Sequence, residues 1–132
     1  MPRTRVLSVV DDDTSVRIAT GRLIRSLGFT VEMFTCGEEF LRLGSLQQTS
    51  CLVLDVHMPD MSGLHLQSQL AAAGYQIPTI FITAYPDERA RTRALRAGAV
   101  DFLYKPFSEE ALLSAIDLAL EVGEQRGQSG KP

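Results

Sequence analysis

Cys51-Leu52-Val53-Leu54-Asp55 is four apolar residues in unbroken succession, closed by a carboxylate. A run this short, with no polar alternation, reads as a strand buried on both faces, as in the middle of a parallel sheet. Such a sheet needs helices on both sides, and the flanking sequence has them. Upstream, Arg5–Val10 is a first strand that leads through Asp11-Asp12-Asp13 into a helix starting at Thr14 or Ser15. Val16, Ala19, Leu23 and Leu27 are its apolar stripe, Asp13 its cap, and Gly28 its stop. A second strand, Phe29–Phe34, and a short helix around Glu38–Leu43 come next. Downstream of the quoted run, Ser62 caps a helix carrying Leu64, Leu66 and Leu70, and Pro78 opens a fourth strand ending at Thr83. An arginine-rich helix over Glu88–Ala97, a strand over Val100–Tyr104, and a helix from Ser108 to about Glu121 complete the pattern. The expected fold is α/β: a doubly wound (βα)5 three-layer sandwich with a parallel sheet.

Composition sets the outer limits. A chain of 132 residues with 45% apolar content can bury one compact core and is too short for two ordinary domains. A formal net charge of −3 gives no general attraction to nucleic acid or an anionic membrane. No stretch approaches the roughly 18 apolar residues of a membrane span, and Cys36 and Cys51 read as reduced thiols, so the expected location is the cytoplasm. From Gly123 the composition turns to Gly, Gln, Ser, Lys and Pro. Residues 1–121 therefore read as the folded unit and residues 122–132 as a flexible tail or the start of a linker.

In an open doubly wound sheet, ligands bind beyond the carboxyl ends of the strands. Asp11 and Asp12 follow the first strand, Asp55 the third, Thr83 the fourth, and Lys105 the fifth. Each alone has a plainer reading: a solvated acidic turn, a β-branched strand residue, an ordinary surface charge. Their joint placement at one edge of the sheet argues for a site.

These residues stand in four segments: Val-Val-Asp-Asp-Asp at 9–13, Leu-Asp-Val-His-Met-Pro-Asp-Met-Ser-Gly at 54–63, Ile-Thr-Ala at 82–84 and Asp-Phe-Leu-Tyr-Lys-Pro-Phe at 101–107. Together they resemble the receiver domains of two-component response regulators over residues 4–121, most of all the receivers of LuxR-type helix-turn-helix regulators. The resemblance implies a flavodoxin-like sheet of order 2-1-3-4-5 and a phosphoryl group accepted on Asp55 from a sensor histidine kinase. It implies that Thr83 and Lys105 bind phosphoryl oxygens and that Ala84 leaves a path for Phe102, an aromatic that turns inward when Thr83 moves. It also implies a cis Lys105–Pro106 peptide and Asp11 acting through water.

Physical chemistry points the same way. Carboxylates about 4 Å apart repel by about 4 kcal/mol per pair at an effective dielectric near 20, which a divalent cation relieves. Mg2+, with Mn2+ as a substitute, suits an all-oxygen set of Asp12, Asp55 and the His57 backbone carbonyl, with Asp11 in support. His57 lacks a second histidine at ligand spacing and is a poor transition-metal ligand. His65 reads as surface.

Arg89, Arg93 and Arg96 share one helical face, and Asp101 together with Glu109, Glu110, Asp117 and Glu121 lies on the neighbouring elements. The plain reading is a solvated charged surface, and the sharper one a phosphorylation-dependent homodimer. The expected output is transcriptional control through a separate DNA-binding domain. The alternative is a stand-alone receiver that relays phosphoryl groups or regulates a partner protein by binding. Two rivals fare worse. An aspartyl-phosphate hydrolase would place an acid where His57 stands, and a flavin carrier would set acidic strand ends against the flavin phosphate. The chain therefore reads as a switch and not an enzyme.

Overall fold

The computed structural model describes residues 5–129. Five strands, β1 (Val6–Val10), β2 (Thr30–Phe34), β3 (Thr49–Asp55), β4 (Thr79–Thr83) and β5 (Asp101–Tyr104), form one parallel sheet of order β2-β1-β3-β4-β5. They alternate with α1 (Thr14–Ser26), α2 (Gly37–Leu43), α3 (Gly63–Ala72), α4 (Glu88–Arg96) and α5 (Glu109–Ser129). This is the expected flavodoxin-like order. Strand β3 lies at the centre, and Cys51 through Val56 are all buried, because helices cover both faces.

Period-2 alternation divides the sheet's side chains between two cores. Leu7, Val9, Cys51, Val53, Ile80 and Ile82 face the layer of α1 and α5, where Ile24, Leu112 and Ile116 meet them. Val10, Leu52, Leu54 and Phe81 face the layer of α2, α3 and α4, where Phe40, Leu66 and Ala94 meet them. Burial pushes the Cys51 thiol up to about 12, which makes it an inert core residue. No helix among the described residues is long and apolar enough to cross a membrane.

Side-chain caps start the helices where expected. Asp13 accepts from the Val16 amide at 3.2 Å, Ser62 from His65 at 3.1 Å, and Ser108 from Ala111 at 3.0 Å. Gly28, at φ +98°, provides the left-handed residue after α1.

Three expectations need correction. The most deeply buried residues of α1 are Thr20, Gly21 and Ile24, whereas Ala19 is exposed. A Cβ on Gly21 would stand 2.5 Å from Met33 Sδ, so the helix meets β2 through its small residues, which a search for apolar side chains passes over. Strand β3 begins at Thr49, two residues early, because Thr49 pairs with Val6 across a register shift and its hydroxyl meets Ser8 Oγ at 3.3 Å. Helix α5 does not end near Glu121 but continues through the expected tail to Ser129. Gly123 lowers helix propensity by only about 1 kcal/mol and fits against Pro78, whose Cγ would be 3.2 Å from an added Cβ.

Candidate functional site

All five strands point the same way, so their carboxyl ends deliver side chains to one edge. Asp11 leaves β1 with its side chain fully buried, Asp12 beside it is exposed, and Asp55 closes β3 at 4% exposure. Ligand atoms of these three carboxylates lie within 4.8 Å of one another. Lys105 Nζ reaches in from beyond β5, 2.9 Å from Asp11 Oδ2 and 3.7 Å from Asp55 Oδ1.

The backbone holds the acids in place. Asp11 Oδ1 accepts from the Asp13 amide at 2.9 Å, and Arg17 donates to the Asp11 carbonyl at 2.9 Å. After Asp55 the chain turns sharply through Asp60, at φ 69°, and returns so that the Gly63 amide donates to the Val56 carbonyl at 2.9 Å. An added Cβ on Gly63 would sit 2.3 Å from the Asp55 carbonyl oxygen, so only glycine permits this approach. The Lys105–Pro106 peptide is cis, and the Lys105 amide donates to the Thr83 carbonyl at 2.7 Å.

Burial pushes the Asp55 carboxyl up to about 7, helped by the negative charge of Asp11 and opposed by the Lys105 ammonium. Asp11 Oδ2 is buried and takes no well-directed hydrogen bond; only the Lys105 ammonium faces it. A buried carboxylate oxygen paired with one ammonium, two neighbouring carboxylates and no nitrogen or sulfur donor among the three match a hard divalent cation such as Mg2+.

The remaining candidates lie around this centre. Thr83 is fully buried, and its hydroxyl is engaged with Tyr85, accepting from the amide at 3.2 Å and donating to the carbonyl at 3.4 Å. Ala84 is exposed beside it. Phe102, expected to turn inward, is already inside at 5% exposure, its ring 6.1 Å from Phe81. A ring without a hydroxyl has no polar group to hold it in water, which fits its burial here. His65 is exposed on α3. Arg89, Arg93 and Arg96 are exposed on α4 and make no ion pair among the described residues. Asp101 is half-buried and accepts from the Phe102 amide at 2.7 Å.

Sequence reasoning missed Gly63, Arg17, Tyr85 and Asp87. Gly63 could have been found from its place just after a capping serine. Asp87 could have been found as the capping aspartate before α4, whereas the contacts of Arg17 and Tyr85 depend on chain paths that no spacing rule encodes.

The match to known proteins agrees with this geometry. The family model for the response regulator receiver domain covers residues 7–117, and the chain belongs to that family. Over 124 residues it is 46% identical to the response regulator protein TodT of Pseudomonas putida, across 94% of this chain and 55% of that protein. It is 38% identical over 113 residues to the transcriptional regulatory protein FixJ of Rhizobium meliloti, across 86% of this chain and 55% of the relative. The solved structure of the response regulator StyR superposes with a TM-score of 0.89 at 48% identity, over 96% of this chain and 64% of that one. The chain thus spans about half the length of the curated relatives it matches.

Proposed function

We propose that this chain accepts a phosphoryl group on Asp55 from the phosphohistidine of a sensor kinase, or from a small phosphodonor, and that the modification switches a surface controlling an output. The observation that carries this reading is a buried carboxylate set between two others and facing a lysine at the end of the central strand. An Asp55 carboxylate oxygen attacks phosphorus in line, the bond from phosphorus to the donor nitrogen or oxygen breaks, and the donor leaves with its electron pair. The product is an acyl phosphate.

Asp11, Asp12 and Asp55 would hold the cation, with the His57 carbonyl as a further ligand. A bound Mg2+ or Mn2+ keeps Asp55 ionised and shields the charge of the incoming phosphoryl oxygens. Lys105, now shared between Asp11 and Asp55, gains a phosphoryl oxygen as partner. Thr83 donates its hydroxyl to another oxygen and in doing so leaves Tyr85.

The half-length match to the transcriptional regulatory protein FixJ supports an output domain elsewhere in a longer protein, which would be the part that touches DNA. The exposed arginines of α4 and the acidic residues Glu109, Glu110, Asp117 and Glu121 of α5 support a homodimer through α4, β5 and α5 after phosphorylation. Phosphoryl transfer is tested by intact mass after incubation with a small phosphodonor, with and without Mg2+, for the native chain and Asp55→Ala. One phosphoryl addition that needs both Mg2+ and Asp55 is expected. An addition that persists in Asp55→Ala, or none in the native chain, would refute the reading.

A further inference from the structure

His57 belongs to the loop after Asp55, yet its side chain turns to a different loop. Its ring meets Tyr85 edge-on, with centroids 5.6 Å apart and planes at 75°. Its Nε2 stands 3.5 Å from Asp87 Oδ2, at the outer limit of a hydrogen bond. Asp87 is the N-cap of α4 and accepts from the Ala90 amide at 3.0 Å through its other oxygen. Tyr85 is the residue whose backbone occupies the Thr83 hydroxyl. One side chain beside the phosphoacceptor therefore touches both the residue that engages Thr83 and the residue that starts α4.

We propose that His57 is a positioning residue: through Tyr85 and Asp87 it keeps the Thr83 hydroxyl turned away from Asp55 and ties the first turn of α4 to the phosphoacceptor loop. The proposal rests on the phosphoacceptor reading above. For Thr83 to reach a phosphoryl group it must leave Tyr85, and Tyr85 can follow only by parting from the His57 ring. The tie from His57 to Asp87 carries the strain of that movement to the α4 cap. The His57 and Asp87 side chains are 42% and 34% exposed, so their contact is solvent-screened and the resistance is modest. Removing it shifts the resting equilibrium roughly two- to fivefold, as expected of a partly exposed pair.

The test uses beryllofluoride with Mg2+ as the phosphoryl stand-in, and amide hydrogen exchange in its absence. His57→Ala is expected to bind beryllofluoride roughly two- to fivefold more tightly and to speed exchange at the Ala90 amide by a similar factor, with Val53 in β3 unchanged. Asp87→Asn, which retains a capping oxygen, moves both readouts in the same direction by less. The double variant matches His57→Ala alone, because the two residues act through one contact. Unchanged affinity or unchanged Ala90 exchange in His57→Ala overturns the proposal, as does an equal gain in affinity for Mg2+ alone. If the native chain takes no beryllofluoride, the phosphoacceptor reading fails, and Ala90 exchange in His57→Ala decides the tie by itself.

Discussion

Asp55 carries an electrostatic load that sets its behaviour with pH. Its carboxyl is raised from 3.8 to about 7, so the folded state holds the proton more tightly than the unfolded chain does. The resulting stabilisation is fully present below about pH 3.8 and is lost as pH rises through about 7, where the ionised group faces burial and Asp11. In metal-free buffer, Asp55→Asn is therefore expected to be more stable than the native chain at pH 8, by on the order of 2–4 kcal/mol, and by less at pH 5. Urea unfolding at the two pH values measures this, and an advantage that does not grow with pH would contradict it. The meeting of Asp11, Asp12, Asp55 and Lys105 was legible in the sequence because each stands at or just beyond a strand end, and a parallel sheet brings strand ends to one edge. Asp11 Oδ2 facing only Lys105, and Thr83 engaged with Tyr85, were not legible, because side-chain partners depend on loop paths that period and spacing leave open.

At the scale of elements, the turn from β3 into α3 controls how the Asp55 carboxylate is presented. Gly63→Ala would set a methyl group 2.3 Å from the Asp55 carbonyl, against backbone that cannot step aside cheaply. The expected cost is about 1–3 kcal/mol in unfolding by urea, with weaker Mg2+ binding as Asp55 is displaced. Unchanged Mg2+ affinity would show that the turn does not position the carboxylate. Helix α5 is held by Leu112, Ile116 and Ala119 against the sheet. Leu112→Ala should cost about 2–5 kcal/mol and leave the phosphoryl addition intact in the folded fraction, measured by unfolding and intact mass together. Element type was legible from periodicity and caps. The packing phase of α1 and the length of α5 were not: Gly21 and Gly123 look like weak points in a helix until Met33 and Pro78 are seen against them.

Across the whole molecule, two cores on either side of one sheet fix a rigid frame, and the site lies where both layers meet the strand ends. A cation bound there by the folded state alone should stabilise the entire domain. Mg2+ at about 100 times its dissociation constant is expected to add about 2.7 kcal/mol to the native chain and much less to Asp55→Asn, read from thermal unfolding. Equal stabilisation of both would place the cation elsewhere. The central claim is that Asp55 receives the phosphoryl group, and the most direct measurement locates it. The Mg2+-treated, phosphodonor-treated chain is reduced with borohydride, which converts an aspartyl phosphate to homoserine, and its peptides are weighed. The account predicts homoserine at position 55 and unaltered aspartates at 11 and 12; homoserine at either of those, or at none, would contradict it.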